Sequence, residues 1–258
     1  NITTIDSKPA GIFTEDGTTF YFTEWSGNKI ARFRPQYTFT EWSLAGTSGG
    51  GSPSGPIAVY SGYVWFTRYD SISRLNPSTN NLTEWAVPTY PSNAKGIAIS
   101  GGKVYFTEYD PPSNQIGRLD PSTNTFTEWT IPTSDSYPVG ISVYGGMIWF
   151  LETWSNDGYH RIGRLDPSTN TFTEWTLPDP GWEEGIGIAV YSGYVWYTRR
   201  GLNRIGKLDP ITNKTTEWAI PTTACEPWDI TISGGKIWFT ETSSATATSN
   251  KIVCLLYT

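Results

Sequence analysis

The sequence predicts an all-β fold, a six-bladed β-propeller with four antiparallel strands in each blade. A stretch at residues 102–132 recurs along the 258 residues, and one motif within it recurs at spacings of 40 to 47 residues. The chain also combines 15% aromatic residues with 26 glycines and 18 prolines, which is typical of short strands joined by tight turns. A repeat of this length with about four strands per unit is typical of a propeller.

Each repeat contains the same elements in the same order. The first strand begins with a pair such as Gly96-Ile97, and the second is an aromatic and apolar run such as Val104–Glu108. A third strand, an Asp-Pro-Ser-Thr-Asn turn and a fourth strand follow. The second strands are apolar at consecutive positions, as expected when neighbouring blades cover both faces of a sheet. These six strands end at Glu24, Arg68, Glu108, Glu152, Arg199 and Glu241.

The two ends of the chain are predicted to share the last blade. The fourth strand carries Thr-Glu-Trp, which occurs five times, and the sixth blade stops after a third strand at Lys251–Leu256. We expect the N-terminal strand, residues 1–6, to complete that blade and close the ring, because closure hides two strand edges. Val59–Trp65 recurs letter for letter as Val190–Trp196, which predicts a duplication of three blades and a pseudo-two-fold axis.

Composition limits the partners and the location. The net charge is −6 and no run of Lys or Arg occurs, so nucleic acid is not an expected partner. No apolar run approaches the ~20 residues of a membrane span. We interpret residues 1–258 as one propeller domain of a thermally robust, extracellular or cell-surface glycoprotein. Its predicted glycosylation sites are the Asn-X-Ser/Thr acceptors Asn1, Asn81 and Asn213.

The two cysteines, Cys225 and Cys254, lie 29 residues apart within one repeat. Outside the cell they would form a disulfide. The alternative is a pair of buried thiols, and no metal-binding Cys-X-X-Cys motif is present.

One face of the predicted propeller collects the ends of the second strands and the loops that begin the next blades. We predict a ligand-binding mouth there, formed by the six terminal Glu and Arg residues together with Asp229, which replaces a glycine. The alternative is a scaffold of ion pairs between blades, with each Arg between two Glu. Carboxylates near an axis can hold calcium or magnesium, with Glu183 and Glu184 on the same side. No metal-binding motif is present, and no other cofactor is predicted.

The tryptophans divide into two groups. Nine of the 13 belong to the repeated strands and are expected to be packing residues. The other four fall in loops of the face that carries Glu24. There they could form platforms for a sugar ring or a protein partner, or they could plug the channel. These four are Trp25, Trp154, Trp182 and Trp228.

The ordered motifs Gly-Ile, Trp-Phe-Thr-Glu, Ile-Gly-Arg-Leu-Asp-Pro and Phe-Thr-Glu-Trp resemble those of the streptogramin lyase (virginiamycin B lyase-like) propellers. The resemblance covers essentially the whole chain and is clearest at residues 102–132 and 145–178. It implies a seven-bladed propeller that opens a cyclic depsipeptide antibiotic by elimination, using a magnesium ion and a histidine base on the central face. Here six copies are counted, and the one histidine, His160, lies in a loop of blade four, where we expect a solvated side chain.

The sequence lacks a second group that titrates near neutral pH, and no nucleophile motif is present. We therefore expect a secreted, non-catalytic binding module, with a carbohydrate, cell-surface or protein partner or with self-assembly into an extracellular structure. The alternative is a metal-assisted lyase or lactone-opening enzyme that uses Glu and Asp. No residue is assigned a catalytic role.

Overall fold

The computed structural model describes residues 9–14, 16–24, 27–34, 38–44, 52–53, 55–110, 113–154, 158–178, 185, 187–241 and 251–256. Every regular element within these ranges is a β-strand, and the strands form six antiparallel sheets arranged as the predicted six-bladed propeller. Five sheets have four strands, and the sixth has three among the described residues. The predicted closing strand, residues 1–6, lies outside the described residues.

The strands of each blade follow one another in sequence order. Blade 1 consists of β1 (Pro9–Thr14), β2 (Phe20–Glu24), β3 (Lys29–Arg34) and β4 (Thr38–Ser43). Blade 2 consists of β5 (Ile57–Tyr60), β6 (Tyr63–Arg68), β7 (Ser71–Asn76) and β8 (Asn81–Ala86). Blade 3 consists of β9 (Ala94–Ser100), β10 (Lys103–Glu108), β11 (Gln115–Asp120) and β12 (Thr125–Thr130).

The second half repeats this order. Blade 4 consists of β13 (Pro138–Tyr144), β14 (Met147–Glu152), β15 (Arg161–Asp166) and β16 (Thr171–Thr176). Blade 5 consists of β17 (Ile188–Tyr191), β18 (Tyr194–Arg199), β19 (Arg204–Asp209) and β20 (Lys214–Ala219). Blade 6 contains β21 (Pro227–Ser233), β22 (Lys236–Glu241) and β23 (Lys251–Leu256). The first strands of blades 2 and 5 are both four residues long, in keeping with the pseudo-two-fold.

The Asp-Pro-Ser-Thr-Asn turns connect strands three and four, and they also tie neighbouring blades together. Asp120 accepts hydrogen bonds from the backbone N–H and the hydroxyl of Ser122, which forms an Asx turn. Asn124 then adopts a left-handed conformation with φ of 56°. Its side-chain oxygen accepts a 2.7 Å bond from the indole N–H of Trp85 in the preceding blade. The repeated turn thus orients a repeated tryptophan.

Within the blades, aromatic side chains lie against small residues or against each other. The Phe106 ring covers Gly117, where an added Cβ would lie 2.2 Å from the ring carbon Cζ. Nearer the outer edge, Trp149 stacks on Trp175 with ring centroids 5.4 Å apart, and Arg164 lies over both rings. Equivalent stacks occur in blades 2 and 5. Both rings of each pair belong to one blade, and the prediction that these tryptophans are packing residues is confirmed for these pairs.

A buried threonine hydroxyl near the end of the second strand links each of four blades to the next. The Thr107 hydroxyl accepts from the N–H of Gly96 in its own blade at 2.8 Å and donates to the Val139 carbonyl of blade 4 at 2.7 Å. Because one hydroxyl satisfies groups of two sheets, it fixes their relative position. The other three links run from Thr23 to Gly55, from Thr67 to Lys95 and from Thr198 to Trp228, at 3.1, 2.6 and 2.9 Å.

The predicted disulfide is wrong: Cys225 and Cys254 are both free. Cys225 lies in the turn before β21, and its thiol donates to the Asn203 side-chain oxygen at 2.7 Å. Cys254 lies within β23, opposite Trp238 of the neighbouring strand. Spacing within a repeat therefore did not place the two sulfur atoms together. The described part of the chain has no helix long and apolar enough to cross a membrane.

We predict that Thr107→Val destabilises the protein by about 1–3 kcal/mol, because the change leaves a buried N–H and a buried carbonyl without their shared partner. Urea unfolding monitored by tryptophan fluorescence measures the change. Thr176→Val is the matched control, since Thr176 occupies an exposed strand position. Equal unfolding midpoints for the two variants would contradict the proposed link between blades.

Candidate functional site

The six residues that end the second strands are buried. Glu24, Glu108, Glu152 and Glu241 have no exposed surface, and Arg68 and Arg199 are almost fully covered. Each of the two Arg residues forms an ion pair with a Glu of its own blade. Arg68 contacts Glu84 at 3.2 Å, and Arg199 contacts Glu217 at 2.9 Å. Both partners belong to the Thr-Glu-Trp motif of the fourth strand.

In blades 1 and 3 the second strand ends in Glu and the fourth strand also carries a Glu, so two carboxyl groups lie near each other. Burial and the neighbouring Glu41 raise the pKa of Glu24 to about 7 against the opposing effect of Lys29. Burial and Glu128 raise the pKa of Glu108 to about 8. Burial thus favours the protonated form of both groups.

Asp229 is buried at the junction of blades 6 and 1. One carboxylate oxygen accepts from the backbone N–H of Ile12 in β1 at 2.8 Å, and the other accepts from the N–H of Ile230 at 2.9 Å. Burial raises its pKa to about 7, and these two hydrogen bonds oppose the rise. The side chain joins the first and last blades at the position where the sequence predicted a ligand contact.

Two of the four loop tryptophans are described, and both are half-buried. The Arg200 guanidinium lies over the Trp228 ring at 4.8 Å and binds Glu226 at 2.6 Å. Trp154 follows the second strand of blade 4, and its backbone N–H donates to the Ser136 carbonyl at 3.2 Å. The remaining predicted residues of this face lie outside the described residues: Trp25, Trp182, Glu183 and Glu184.

A small cleft lies between blades 4 and 5, with about 20 Å³ of space for water, enough for about one molecule. It is lined by Leu151, Glu152, Thr153, His160, Leu177, Gly185, Tyr197, Thr198 and Arg199. His160 is only 5% exposed, so the prediction of a solvated histidine is wrong. The structure therefore places the only imidazole of the chain beside a buried carboxyl group and a buried guanidinium.

Hydrogen bonds fix the residues of the cleft on the blade 4 side and on the blade 5 side. On the blade 4 side, the His160 carbonyl accepts from the N–H of Leu177 at 2.9 Å, which fixes the backbone of the histidine loop. On the blade 5 side, Arg199 donates from Nη1 to the Pro178 carbonyl and to Glu217, both at 2.9 Å. The Tyr197 hydroxyl also donates to Glu217, and burial raises the pKa of this phenol above its usual range. These bonds hold the polar groups in place before any ligand arrives.

The described residues do not fit a resident divalent cation. They contain no group of three or more His, Cys, Asp or Glu side chains that could hold a metal ion. The four second-strand carboxyl groups belong to four different blades, and Asp229 accepts hydrogen bonds from two backbone N–H groups. We therefore derive no step through a metal ion.

The comparisons with known proteins identify the family. Residues 1–249 match the model of the virginiamycin B lyase family. The chain belongs to this family. No curated protein sequence matches the chain.

Solved structures of lyases are similar over nearly the full length. Selenomethionine-substituted virginiamycin B lyase from Staphylococcus aureus is 27% identical with a TM-score of 0.75, over 100% of this chain and 87% of that one. A streptogramin B lyase structure is 26% identical with a TM-score of 0.75, over 100% and 86%. A catalytically inactive histidine-to-alanine variant of the S. aureus lyase with quinupristin is 28% identical with a TM-score of 0.75, over 98% and 86%.

A chain in a nidogen–laminin complex, at 16% identity and a TM-score of 0.68, shares only the fold. The prediction of a secreted, non-catalytic binding module is overturned by the family match and by the three similar lyase structures. These findings favour the alternative, a lyase. The earlier prediction depended on His160 being an ordinary loop residue, and its burial removes that premise.

One feature of the sequence indicates the position of the cleft. The second strands carry Thr at their fourth position in blades 1, 2, 3, 5 and 6, whereas blade 4 carries Leu151. That exception lies in the cleft next to Glu152. At this strand position, the one departure from threonine therefore occurs in the blade that holds the histidine.

We predict that the protein is more stable at about pH 5 than at about pH 8, because Glu24, Glu108 and Asp229 keep protons in the folded state that the unfolded chain has lost. Their folded pKa values lie above the ordinary values of 4.5 for Glu and 3.8 for Asp. Stability is therefore lost as the pH rises toward 8. Each of the three groups lowers the free energy of unfolding by up to about 1.4 kcal/mol for each pH unit between its unfolded and folded pKa values.

Urea unfolding midpoints across this pH range measure the effect. Glu108→Gln should flatten the profile, because glutamine imitates the protonated carboxyl group. A urea unfolding midpoint that is higher at about pH 8 than at about pH 5 would contradict the raised pKa values of these three carboxyl groups.

Proposed function

We propose that the protein is a lyase that opens an ester-linked cyclic depsipeptide by elimination, with the cleft between blades 4 and 5 as its active site. The observation that carries this proposal is the burial of His160, the only histidine, in a cleft that also contains Glu152 and Arg199. A histidine is suited to act as a general base near neutral pH.

The elimination needs a base and a group that stabilises negative charge. His160 would remove a proton from the carbon next to a carbonyl group, and the electron pair of that C–H bond would form the new C=C bond. The ester C–O bond breaks at the adjacent carbon, and its electron pair leaves with the carboxylate. No water is consumed, and the proton remains on the imidazole until it is released.

Arg199 is the candidate for the stabilising charge. Its guanidinium is held by Glu217 and by the Pro178 carbonyl, so it needs little reorganisation as negative charge develops. Glu152 lines the same cleft and would favour the protonated imidazole after proton transfer. The similar S. aureus lyase, which a histidine-to-alanine change makes catalytically inactive, supports a histidine-dependent reaction.

The size of the cleft restricts how a substrate would bind. About 20 Å³ of space admits a reacting group and excludes a peptide ring. The ring would lie over the described residues that lead out of the second strands, 153–154, 158–160 and 200–203. Calcium or magnesium binding, an extracellular location and a protein or carbohydrate partner stay predictions, although the glycosylation candidates Asn81 and Asn213 are exposed.

We predict that the purified protein converts quinupristin to a linear product of unchanged mass, because elimination adds no water. Liquid chromatography with mass spectrometry distinguishes this product from a hydrolysed one, which gains the mass of one water. His160→Asn should reduce kcat by about 10²- to 10⁴-fold, the usual contribution of a general base. Ile211→Ala, at a fully exposed turn position, is the control.

A product that gains one water would replace the lyase assignment with a lactone hydrolase. Unchanged turnover in His160→Asn, with the same unfolding midpoint as the parent protein, would exclude His160 as the base.

A further inference from the structure

The carboxylate of Glu217 in blade 5 is bound by the side chains of two arginines and a tyrosine. One of its oxygens accepts from Arg199 at 2.9 Å and from the Tyr197 hydroxyl at 3.3 Å. The other oxygen accepts from Arg204 at 3.1 Å. Glu217 is largely buried, and Tyr197 has no exposed surface. Because both oxygens are bound, the orientation of this carboxylate is fixed.

The strand geometry brings these groups together. Arg199 on β18 lies opposite Arg204 on β19, and Glu217 on β20 lies opposite Gly206 on β19. The Tyr197 ring covers Gly206, where an added Cβ would lie 2.2 Å from the ring carbon Cζ. Since the glycine has no side chain, the ring crosses β19 and its hydroxyl reaches the carboxylate on the next strand.

Blade 2 contains the same kind of ion pair, Arg68 with Glu84 at 3.2 Å, but carries other residues at the positions of the two additional donors. The position of the tyrosine is taken by Phe66, and that of the second arginine by the uncharged Ser71. The other five second strands all carry phenylalanine at the tyrosine position. Of these two blades, the one with the additional donors is therefore the one that borders the cleft.

A carboxylate that is shared by two guanidinium groups neutralises each of them less than it would neutralise one alone. The group of Arg199, Arg204 and Glu217 carries two positive charges and one negative charge, whereas the equivalent pair in blade 2 is balanced. Arg199 lines the cleft together with Glu152 and His160. The second arginine therefore makes the electrostatic potential in the cleft more positive than the pair alone would make it.

We propose that Tyr197 and Arg204 are positioning residues that act through Glu217 on Arg199. The tyrosine fixes one oxygen of the carboxylate, and Arg204 fixes the other and shares its charge. Arg199 is thus held in one orientation and is neutralised less, so it better stabilises the negative charge that develops during elimination. This inference rests on the proposed function, because both residues support Arg199 at the same cleft.

The first test removes the hydroxyl donor. Tyr197→Phe deletes one hydroxyl group and introduces the residue that the other five second strands carry. We expect kcat on quinupristin to fall about three- to tenfold with little change in KM, because the lost support acts on the transition state. Tyr194→Phe deletes an exposed hydroxyl group from the same strand, so it is the matched control and should keep the parent kcat.

The second test examines the shared charge. Arg204→Gln introduces the residue that blade 3 carries at this strand position, Gln115, and should lower kcat about tenfold. Arg204→Lys should keep kcat within about threefold of the parent, since Lys29 binds Glu41 from the equivalent position of blade 1. Lys214→Gln removes a positive charge from an exposed position of the same blade and is the control for charge.

A further readout is independent of turnover. Because the chain has one histidine, the imidazole proton signals in an NMR spectrum belong to His160, which lines the cleft with Arg199. A nearby positive charge disfavours the protonated imidazole. The signals of Arg204→Gln should therefore titrate at a higher pH than those of the parent and of Arg204→Lys. The signals of Lys214→Gln should titrate as in the parent.

The outcomes separate the inference from the proposed function. If the parent does not convert quinupristin, the proposed function fails, and the His160 titration still decides whether Arg204 sets the charge of the cleft. A parent-like kcat for Tyr197→Phe or for Arg204→Gln would overturn the role of that residue. An imidazole titration unchanged by Arg204→Gln would overturn the shared charge. Should Arg204→Gln not fold, Arg204→Met provides the same comparison with a neutral side chain.

Discussion

The structure depends on a buried threonine hydroxyl that belongs to two blades at once. Thr107 accepts a backbone hydrogen bond from its own first strand and donates one to the first strand of blade 4. Six sheets arranged around an axis have no continuous backbone hydrogen bonding between them, so side chains must set their spacing. Because this threonine directly precedes the last residue of its strand, it also fixes where that residue, Glu108, is buried.

The same geometry explains why the acidic residues do not form an open mouth. The terminal residue of each second strand is buried, and in the arginine blades it contacts the glutamate of the Thr-Glu-Trp motif. Blades 2 and 5 neutralise that glutamate with Arg68 and Arg199. In blades 1 and 3, burial and a second carboxylate favour a proton on Glu24 and Glu108 instead. Two chemical solutions to one buried charge therefore coexist in a single ring.

Blade 4 shows how a regular repeat can acquire a site. A propeller repeats its backbone closely, so a local change in side chains alters one junction without disturbing the others. Here the exception at Leu151 coincides with the longer loop that carries His160, and the junction with blade 5 contributes Arg199. The family match and the similar solved structures connect this kind of propeller with lyase activity. The cleft is the place where this chain brings together groups suited to that chemistry.

The sequence by itself determined the six-bladed fold, because motif spacing and strand composition are local properties that can be read in each blade separately. It also determined which residues end the second strands. Tertiary structure alone decided where those side chains lie, since burial and pairing depend on the facing strand and the next blade. Glu108 and Arg199 occupy equivalent positions, yet burial raises the pKa of Glu108, whereas Arg199 forms an ion pair with Glu217. The sequence could not place His160 either, because loop residues have no periodicity that reveals whether a neighbouring blade covers them.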